Sequence, residues 1–174
     1  ASFQAWRDGL LAPLRQILAA VPESDDEVVF RVDALAIAVR ALEEARGWAL
    51  TRATAPLDAT SLALFRSHLQ HSLWSLSPLR ASSLAAGLAR LHAEWLLARL
   101  MAIARAREVK RFHVTPQDLQ DGLANACFLF RHRDLTPILE RLDPLTTAVF
   151  LDHPDEPRAA ADRELDTRTE LPKF

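Results

Sequence analysis

The chain has 174 residues, of which 49% are hydrophobic and 25% charged, and its formal net charge is −2. This length fits one domain with a buried core, and the small net charge argues against nucleic acid or an acidic ligand as a general partner. Glycine is scarce, with four residues. No strand-length run alternates β-branched or aromatic residues with polar ones. The composition therefore predicts an all-α protein.

Three features of the sequence predict a cytoplasmic protein without a membrane span. The single cysteine, Cys127, has no second cysteine with which to form an internal disulfide, and its apolar neighbours indicate a buried core residue. Arg7 and Asp8 lie where a secretory signal would have its apolar core. In addition, no apolar run approaches the roughly 18–20 residues that cross a bilayer.

The first two helices are predicted over residues 2–20 and 24–46. Pro13 removes a backbone donor from the middle of the first helix, so we expect a kink or a break there. The run Ser24-Asp25-Asp26-Glu27 has the pattern of a capping box at the start of the second helix. The second helix is expected to end at Arg46 and Gly47, because a basic residue in the last turn followed by glycine is typical of helix C-termini.

A linker is predicted over residues 48–57, followed by a third helix over 58–76 and a long fourth helix over 82–107. The repeat of apolar residues in the third helix predicts one core-facing seam, made of Leu62, Phe65, Leu69, Leu73 and Leu76. The fourth helix would be nearly 40 Å long, which is enough for the spine of a bundle.

The fifth helix has the clearest start, because Thr115 suits the N-cap and Pro116 the first helical position. A short sixth helix begins at Thr136 and is expected to be interrupted at Asp143-Pro144, ending near residue 151. Residues 153–174 mix charges and prolines without an apolar seam, which favours an extended or disordered polar tail. The sequence thus predicts a single helical bundle domain of about six helices over 1–152, followed by this tail.

The segment from Lys110 to Leu119 follows a long helix rich in Ala, Leu and Arg. In this respect it resembles the lid subdomain of AAA+ ATPases, over about a quarter of the chain. No Gly-rich phosphate loop ending in Lys-Ser/Thr precedes the segment, so the resemblance does not imply ATPase activity.

The third helix is unusually poor in charge. Between positions 53 and 89 the only charged residues are Asp58, Arg66 and Arg80. A helix with two uncharged sides is either central in a bundle or covered by a partner. We therefore predict a non-catalytic interaction module, such as an adaptor, regulator or inhibitor, that binds another protein or a copy of itself. The candidate partner-binding residues are Trp48, Leu64, His71 and Trp74.

The alternative hypothesis is a bundle that binds a small molecule or a metal, and that is possibly enzymatic. If the third and fourth helices form an antiparallel hairpin, a pocket between them would be lined by His68, His71, His92 and Trp95. We assign no metal ligands, because the Glu-x-x-His pairs of di-iron bundles are absent. No sequence motif indicates a cofactor.

No catalytic centre is predicted, since the chain has no nucleophile elbow and its paired carboxylates lie in exposed segments. Two basic runs, residues 105–113 and 131–133, end the fourth and fifth helices. Cations are favoured at helix C-termini, and antiparallel packing would keep the two runs apart. Binding of nucleic acid is therefore not expected.

Overall fold

The computed structural model describes residues 2–21, 26–75 and 77–169. Within these ranges the chain forms eight α-helices and no strand. The helices are α1 Phe3–Ala19, α2 Asp26–Glu43, α3 Gly47–Thr54, α4 Ala59–Trp74, α5 Leu84–Glu108, α6 Pro116–Arg131, α7 Thr136–Thr147 and α8 Glu156–Thr169. A 3₁₀ turn, Ser77–Arg80, joins α4 to α5, and a π-helical turn, Ala148–Asp152, follows α7. The all-α prediction is confirmed, but there are more helices than the six expected.

Helix α5 is the centre of the fold. It is 25 residues long and packs against α2, α3, α6 and α7. Alanine and leucine dominate its sequence, and it is buried on most sides between Ala86 and Ala106. Helix α6 packs closely on it, because the backbone of Gly122 lies against the carbonyl group of Ala98. A long central helix agrees with the spine that the sequence predicted.

The predicted linker over residues 48–57 is wrong, because most of it belongs to α3. Gly47 begins this helix with a φ of +47°, a conformation that glycine adopts without strain. Ala49, Leu50 and Ala53 follow at helical spacing and are buried in the main core. Three small or aliphatic residues on one side are enough to fix a short helix against the bundle.

The expected extended tail is also wrong over the part of it that the structure describes. Residues Glu156–Thr169 form α8, which packs on α3 and α1. Pro157 and Ala161 are buried and lie four residues apart, so they share one face of the helix. Glu156 and Glu164 are half-buried and accept backbone N–H groups of the bundle, whereas Arg158, Asp162, Arg163 and Asp166 are exposed. Residues 170–174 lie outside the described part of the chain.

The predicted start of the fifth helix is confirmed at α6. The Thr115 hydroxyl accepts the N–H of Asp118, the Asp118 carboxylate accepts the N–H of Thr115, and Pro116 is the first helical residue. These reciprocal bonds satisfy two donors that a helix start otherwise leaves unpaired. The capping box predicted at residues 24–27 falls largely on residues 22–25, which lie outside the described ranges.

A kink or a break was expected at Pro13 and an interruption at Pro144, and neither helix is interrupted there. Pro13 is part of α1 and Pro144 is part of α7. In α7 the neighbouring Asp143 is buried, where it accepts bonds from the backbone N–H of Ser82 and from Nε of Arg90. These tertiary bonds hold the segment in place, although Pro144 supplies no backbone donor to the helix.

Candidate functional site

Helix α4 lies antiparallel to α5, as the predicted hairpin requires. Phe65 packs against Trp95 with ring centroids 4.9 Å apart. One turn further along α4, Nε2 of His68 lies 3.5 Å from Oε1 of Glu94. The Asp58 carboxylate caps the start of α4 by accepting the N–H of Ser61. The hairpin therefore places the middle of α4 against the middle of α5.

The apolar seam predicted for α4 coincides only in part with its inner face, where Phe65 packs against Trp95 and Leu69 is half-buried. Of the expected apolar seam, Leu62 and Leu73 are exposed, and residue 76 lies outside the described ranges. The residues of α4 that are buried are His68 and Ser72. Polar side chains occupy the inner face because polar groups of α5 and α6, rather than an apolar core, lie opposite them.

Turning α4 in this way leaves apolar side chains on the surface at the α4–α5 turn. The exposed fractions are 48% for Leu73, 85% for Trp74, 63% for Leu79 and 58% for Leu84. These four residues, here called the Trp74 patch, lie at the end of α4, in the 3₁₀ turn and at the start of α5. Exposed large apolar groups concentrated in one region are typical of binding surfaces.

The four predicted partner-binding residues do not form one surface. Trp74 and His71 are exposed on the last turns of α4, whereas Leu64 is half-buried beside Trp95. Trp48, 50% exposed, lines a groove with Arg107 at the other end of α5. Arg107 lies 23 positions after Leu84, the first residue of α5, which corresponds to about 35 Å of helix.

The predicted pocket residues, His68, His71, His92 and Trp95, do not line a common cavity. His92 directs Nδ1 to the carbonyl oxygen of Phe150, 3.2 Å away, and shares a cleft of about 330 Å³ with Trp95. His71 is exposed, and His68 is buried. The structure therefore does not bring the three imidazoles together.

His68 instead meets two residues that the sequence analysis did not connect with it. Its Nδ1 lies 3.7 Å from Sγ of Cys127 on α6, and its Nε2 faces Glu94 of α5. A ring nitrogen of His68, the Cys127 sulfur and a carboxylate oxygen of Glu94 all lie within 4.8 Å of one another. We call these three residues the His68 cluster, and each comes from a different helix.

The His68 cluster is shielded from solvent, and this burial favours the neutral forms of its side chains. Burial, with smaller contributions from the positive charge of Arg131 and from the neighbouring His71, lowers the pKa of His68 to about 4. Burial raises the pKa of Glu94, although contacts with Cys127 and Arg131 oppose the shift. Burial, together with Glu94, raises the pKa of the Cys127 thiol. At neutral pH the imidazole is therefore uncharged and the sulfur carries its proton.

Several polar atoms of the His68 cluster and its surroundings have no hydrogen-bond partner. They include Nε2 of His68 and Oε1 of Glu94, although the Glu94 side chain is only 2% exposed. Arg131 donates from Nη2 to the Ser72 hydroxyl at 3.1 Å and lies 3.8 Å from Glu94, but its Nε is also unpartnered. Each unsatisfied buried polar atom costs about 1–3 kcal/mol.

One sequence signal could have located the His68 cluster. Glu94 is the one acidic residue between Leu84 and Arg107, and buried residues surround it along α5. Acidic side chains are almost never fully buried unless they are paired. We had also interpreted Cys127 as an ordinary core residue, because the histidine beside it lies 59 positions away in sequence.

The basic runs at the helix ends are largely engaged with carboxylates. Arg105 pairs with Glu108, Arg107 with Glu44, and Arg111 with Asp118, at 3.0, 2.8 and 2.6 Å. The run at residues 131–133 begins with Arg131, which turns inward to Ser72. These pairings reduce the positive charge that each run presents to solvent.

Comparison with known proteins adds no assignment. No protein-family model, curated protein or solved structure matches the chain. The likeness of residues 110–119 to the AAA+ lid therefore carries no argument about function. Among the described residues, no helix combines the length and the apolar character needed to cross a membrane.

Proposed function

We propose that this protein is a non-catalytic helical interaction module, and that it binds a protein partner through the Trp74 patch. The observation that carries the proposal is the 85% exposure of Trp74 beside the exposed side chains of Leu73 and Leu79. Tryptophan is the residue most enriched at the centres of binding interfaces. We expect the module to act in the cytoplasm, as the sequence predicted.

The charges around the Trp74 patch indicate what kind of partner fits it. From Ala59 to Ala89 the chain carries two charged side chains, Arg66 and Arg80, both basic and exposed. An interface with an apolar centre and a charged rim is the usual arrangement. The partner is therefore expected to present an apolar face bordered by acidic residues. In the second form of this proposal, the partner that binds the Trp74 patch is another copy of the same chain.

The test is the substitution Trp74→Ala in the full chain. Native mass spectrometry of the gently purified protein first identifies the bound chain, either a second protein or a further copy. Loss of a central interface tryptophan costs about 2 kcal/mol or more, which corresponds to at least a roughly 30-fold weaker complex. Thermal stability should hardly change, because the side chain makes few contacts within the protein.

Trp48→Ala is the matched control, since Trp48 is also exposed but lies at the opposite end of α5. The control should associate like the unchanged protein. Equal weakening by both substitutions would contradict a localised interface. A lower melting temperature in Trp74→Ala with undiminished association would show that Trp74 serves the fold instead.

A specific observation also favours the second candidate function, a ligand-binding bundle. His68 and Glu94 are buried and each presents an unpartnered atom between α4, α5 and α6. The ligand site would then be the His68 cluster, not the pocket predicted from the four residues on the third and fourth helices.

A further inference from the structure

We infer that His68, Glu94 and Cys127 form a binding site for a single zinc-like divalent transition-metal ion. This inference is independent of the proposed interaction surface. It rests on three potential ligand groups brought together by three helices, and on buried polar atoms among them that the protein itself does not satisfy.

The spacing of the donor atoms suits a tetrahedral ion. Zinc binds nitrogen and oxygen at about 2.0–2.2 Å and sulfur at about 2.3 Å, so ligand atoms around it lie roughly 3.3–3.8 Å apart. One donor atom from each of the three residues lies within 4.8 Å of the others. The shorter contacts use opposite ring nitrogens of His68, with Nε2 3.5 Å from Oε1 of Glu94 and Nδ1 3.7 Å from Sγ of Cys127. A rotation of the imidazole that presents one nitrogen to both partners, together with an approach of the donors by up to about 1 Å, would close the site.

The donor types favour zinc over calcium or magnesium. Imidazole and thiolate bind borderline and soft transition metals, whereas calcium and magnesium prefer oxygen ligands alone. One thiolate and one carboxylate also balance the two charges of the ion. Ligands that neutralise the ion reduce the cost of burying it, and Arg131 would add one positive charge beside the carboxylate unless it turned outward.

An ion would resolve the unsatisfied atoms that the cluster contains. Without one, Nε2 of His68 and Oε1 of Glu94 face each other at 3.5 Å and neither has a hydrogen-bond partner. Arg131 is a nearby cation, but its Nη2 lies 3.8 Å from Oε1 of Glu94, too far for a hydrogen bond. An ion among the three residues would give the carboxylate a closer electrostatic partner and would engage the imidazole.

The surroundings provide both support for the ligands and a route of entry. Arg131 lies 3.8 Å from Oε1 of Glu94, and its side chain is 25% exposed, so the guanidinium has room to turn outward. Cys127 and Arg131 both line an open cleft of about 580 Å³. Three protein ligands would leave a fourth position for water or another ligand, and Cys127 is the member of the cluster that lines this cleft.

The experiment is a titration of the full-length, chelator-treated protein with cobalt(II), which replaces zinc in such sites and absorbs visible light. One ion should bind per chain and give a thiolate-to-cobalt charge-transfer band. Because the chain has a single cysteine, this band reports on Cys127 alone. Zinc added afterwards should abolish it. Absence of the band at one equivalent would overturn the proposal.

Substitutions then test the other two ligands. His68→Gln and Glu94→Gln should each weaken cobalt binding at least about 100-fold, since loss of supporting residues outside the ligand set alone costs 10–100-fold. His113→Gln, which changes an exposed loop histidine, is the matched control and should bind as before. Unchanged affinity in the first two variants would mean that Cys127 binds the metal adventitiously, and would overturn the site.

A measurement on the unsubstituted protein covers the case in which these variants fail to fold. One equivalent of zinc should slow the alkylation of Cys127 by iodoacetamide at least about tenfold, because a metal-bound thiolate is no longer available as a nucleophile. Magnesium at the same concentration should have no effect. An unchanged rate with zinc would overturn the proposal without any substitution.

Discussion

The contact between Gly122 of α6 and α5 allows a sharp prediction about packing. A Cβ atom added at Gly122 would overlap the carbonyl oxygen of Ala98 and lie 3.2 Å from the backbone nitrogen of Ala102. Neither backbone atom can move without shifting α5. Gly122→Ala should therefore push α5 and α6 apart, at the pair of helices that carries Glu94 and Cys127.

The size of the effect follows from two opposing contributions. Alanine stabilises a helix interior by about 1 kcal/mol relative to glycine. Overpacking typically costs 1–3 kcal/mol, and a clash with rigid backbone should lie near the upper end, at about 3 kcal/mol. The net destabilisation is therefore about 2 kcal/mol. For a chain of this size it corresponds to a melting temperature lower by roughly 4–8 °C.

Gly9→Ala provides the control, because Gly9 also lies inside a helix. Its added Cβ would lie 2.8 Å from Cδ2 of Leu142, the end of a side chain that can rotate away. This variant should melt at the original temperature or slightly above it. Thermal unfolding followed by circular dichroism measures both variants. A Gly122→Ala protein as stable as Gly9→Ala would refute the close-contact argument.

Two further predictions concern helix starts. The Arg111 guanidinium and the bonds from Thr115 hold the pKa of Asp118 well below its usual range, so Asp118 stabilises the fold at neutral pH and this contribution is lost as acid protonates it. Asp118→Asn should therefore lower the melting temperature at about pH 7. The difference in melting temperature between this variant and the unchanged protein should shrink as the pH falls towards about pH 3. A difference that stays constant with pH would contradict the ion pair. Glu164→Ala removes the acceptor of the Gly47 N–H at the start of α3. It should lower the free energy of unfolding, measured with urea, by about 1 kcal/mol. An unchanged unfolding midpoint would show that this bond contributes nothing.

Local signals in the sequence predicted the fold class and several helix boundaries. The start of α6 at Thr115 was identifiable because capping depends on residues within one turn of each other. The helices α3 and α8 were missed because each is fixed by distant partners. Gly47 of α3 is bonded to Glu164, and Glu156 of α8 is bonded to the backbone of Phe3. Pairings between residues so far apart in sequence leave no local pattern from which they could be predicted.

The site was harder to predict than the fold for a related reason. The apolar residues of α4 repeat at helical spacing, yet its inner face carries His68 and Ser72, because charged groups of α5 and α6 lie opposite. Periodicity identifies the residues that share a face, but it does not identify the face that another helix covers. Cys127 and His68 meet only through tertiary packing, so their contact has no local sequence signature.

The glutamates of α8 have a consequence for the order of events during synthesis. Glu156 accepts the N–H of Phe3, 153 positions earlier, and Glu164 accepts that of Gly47, 117 positions earlier. At roughly 5–20 residues per second, the start of α1 would wait on the order of 10–30 s for its acceptor. Until then the first helices should remain loosely held and accessible to chaperones. The native arrangement of the bundle is completed only when α8 has been made and has docked.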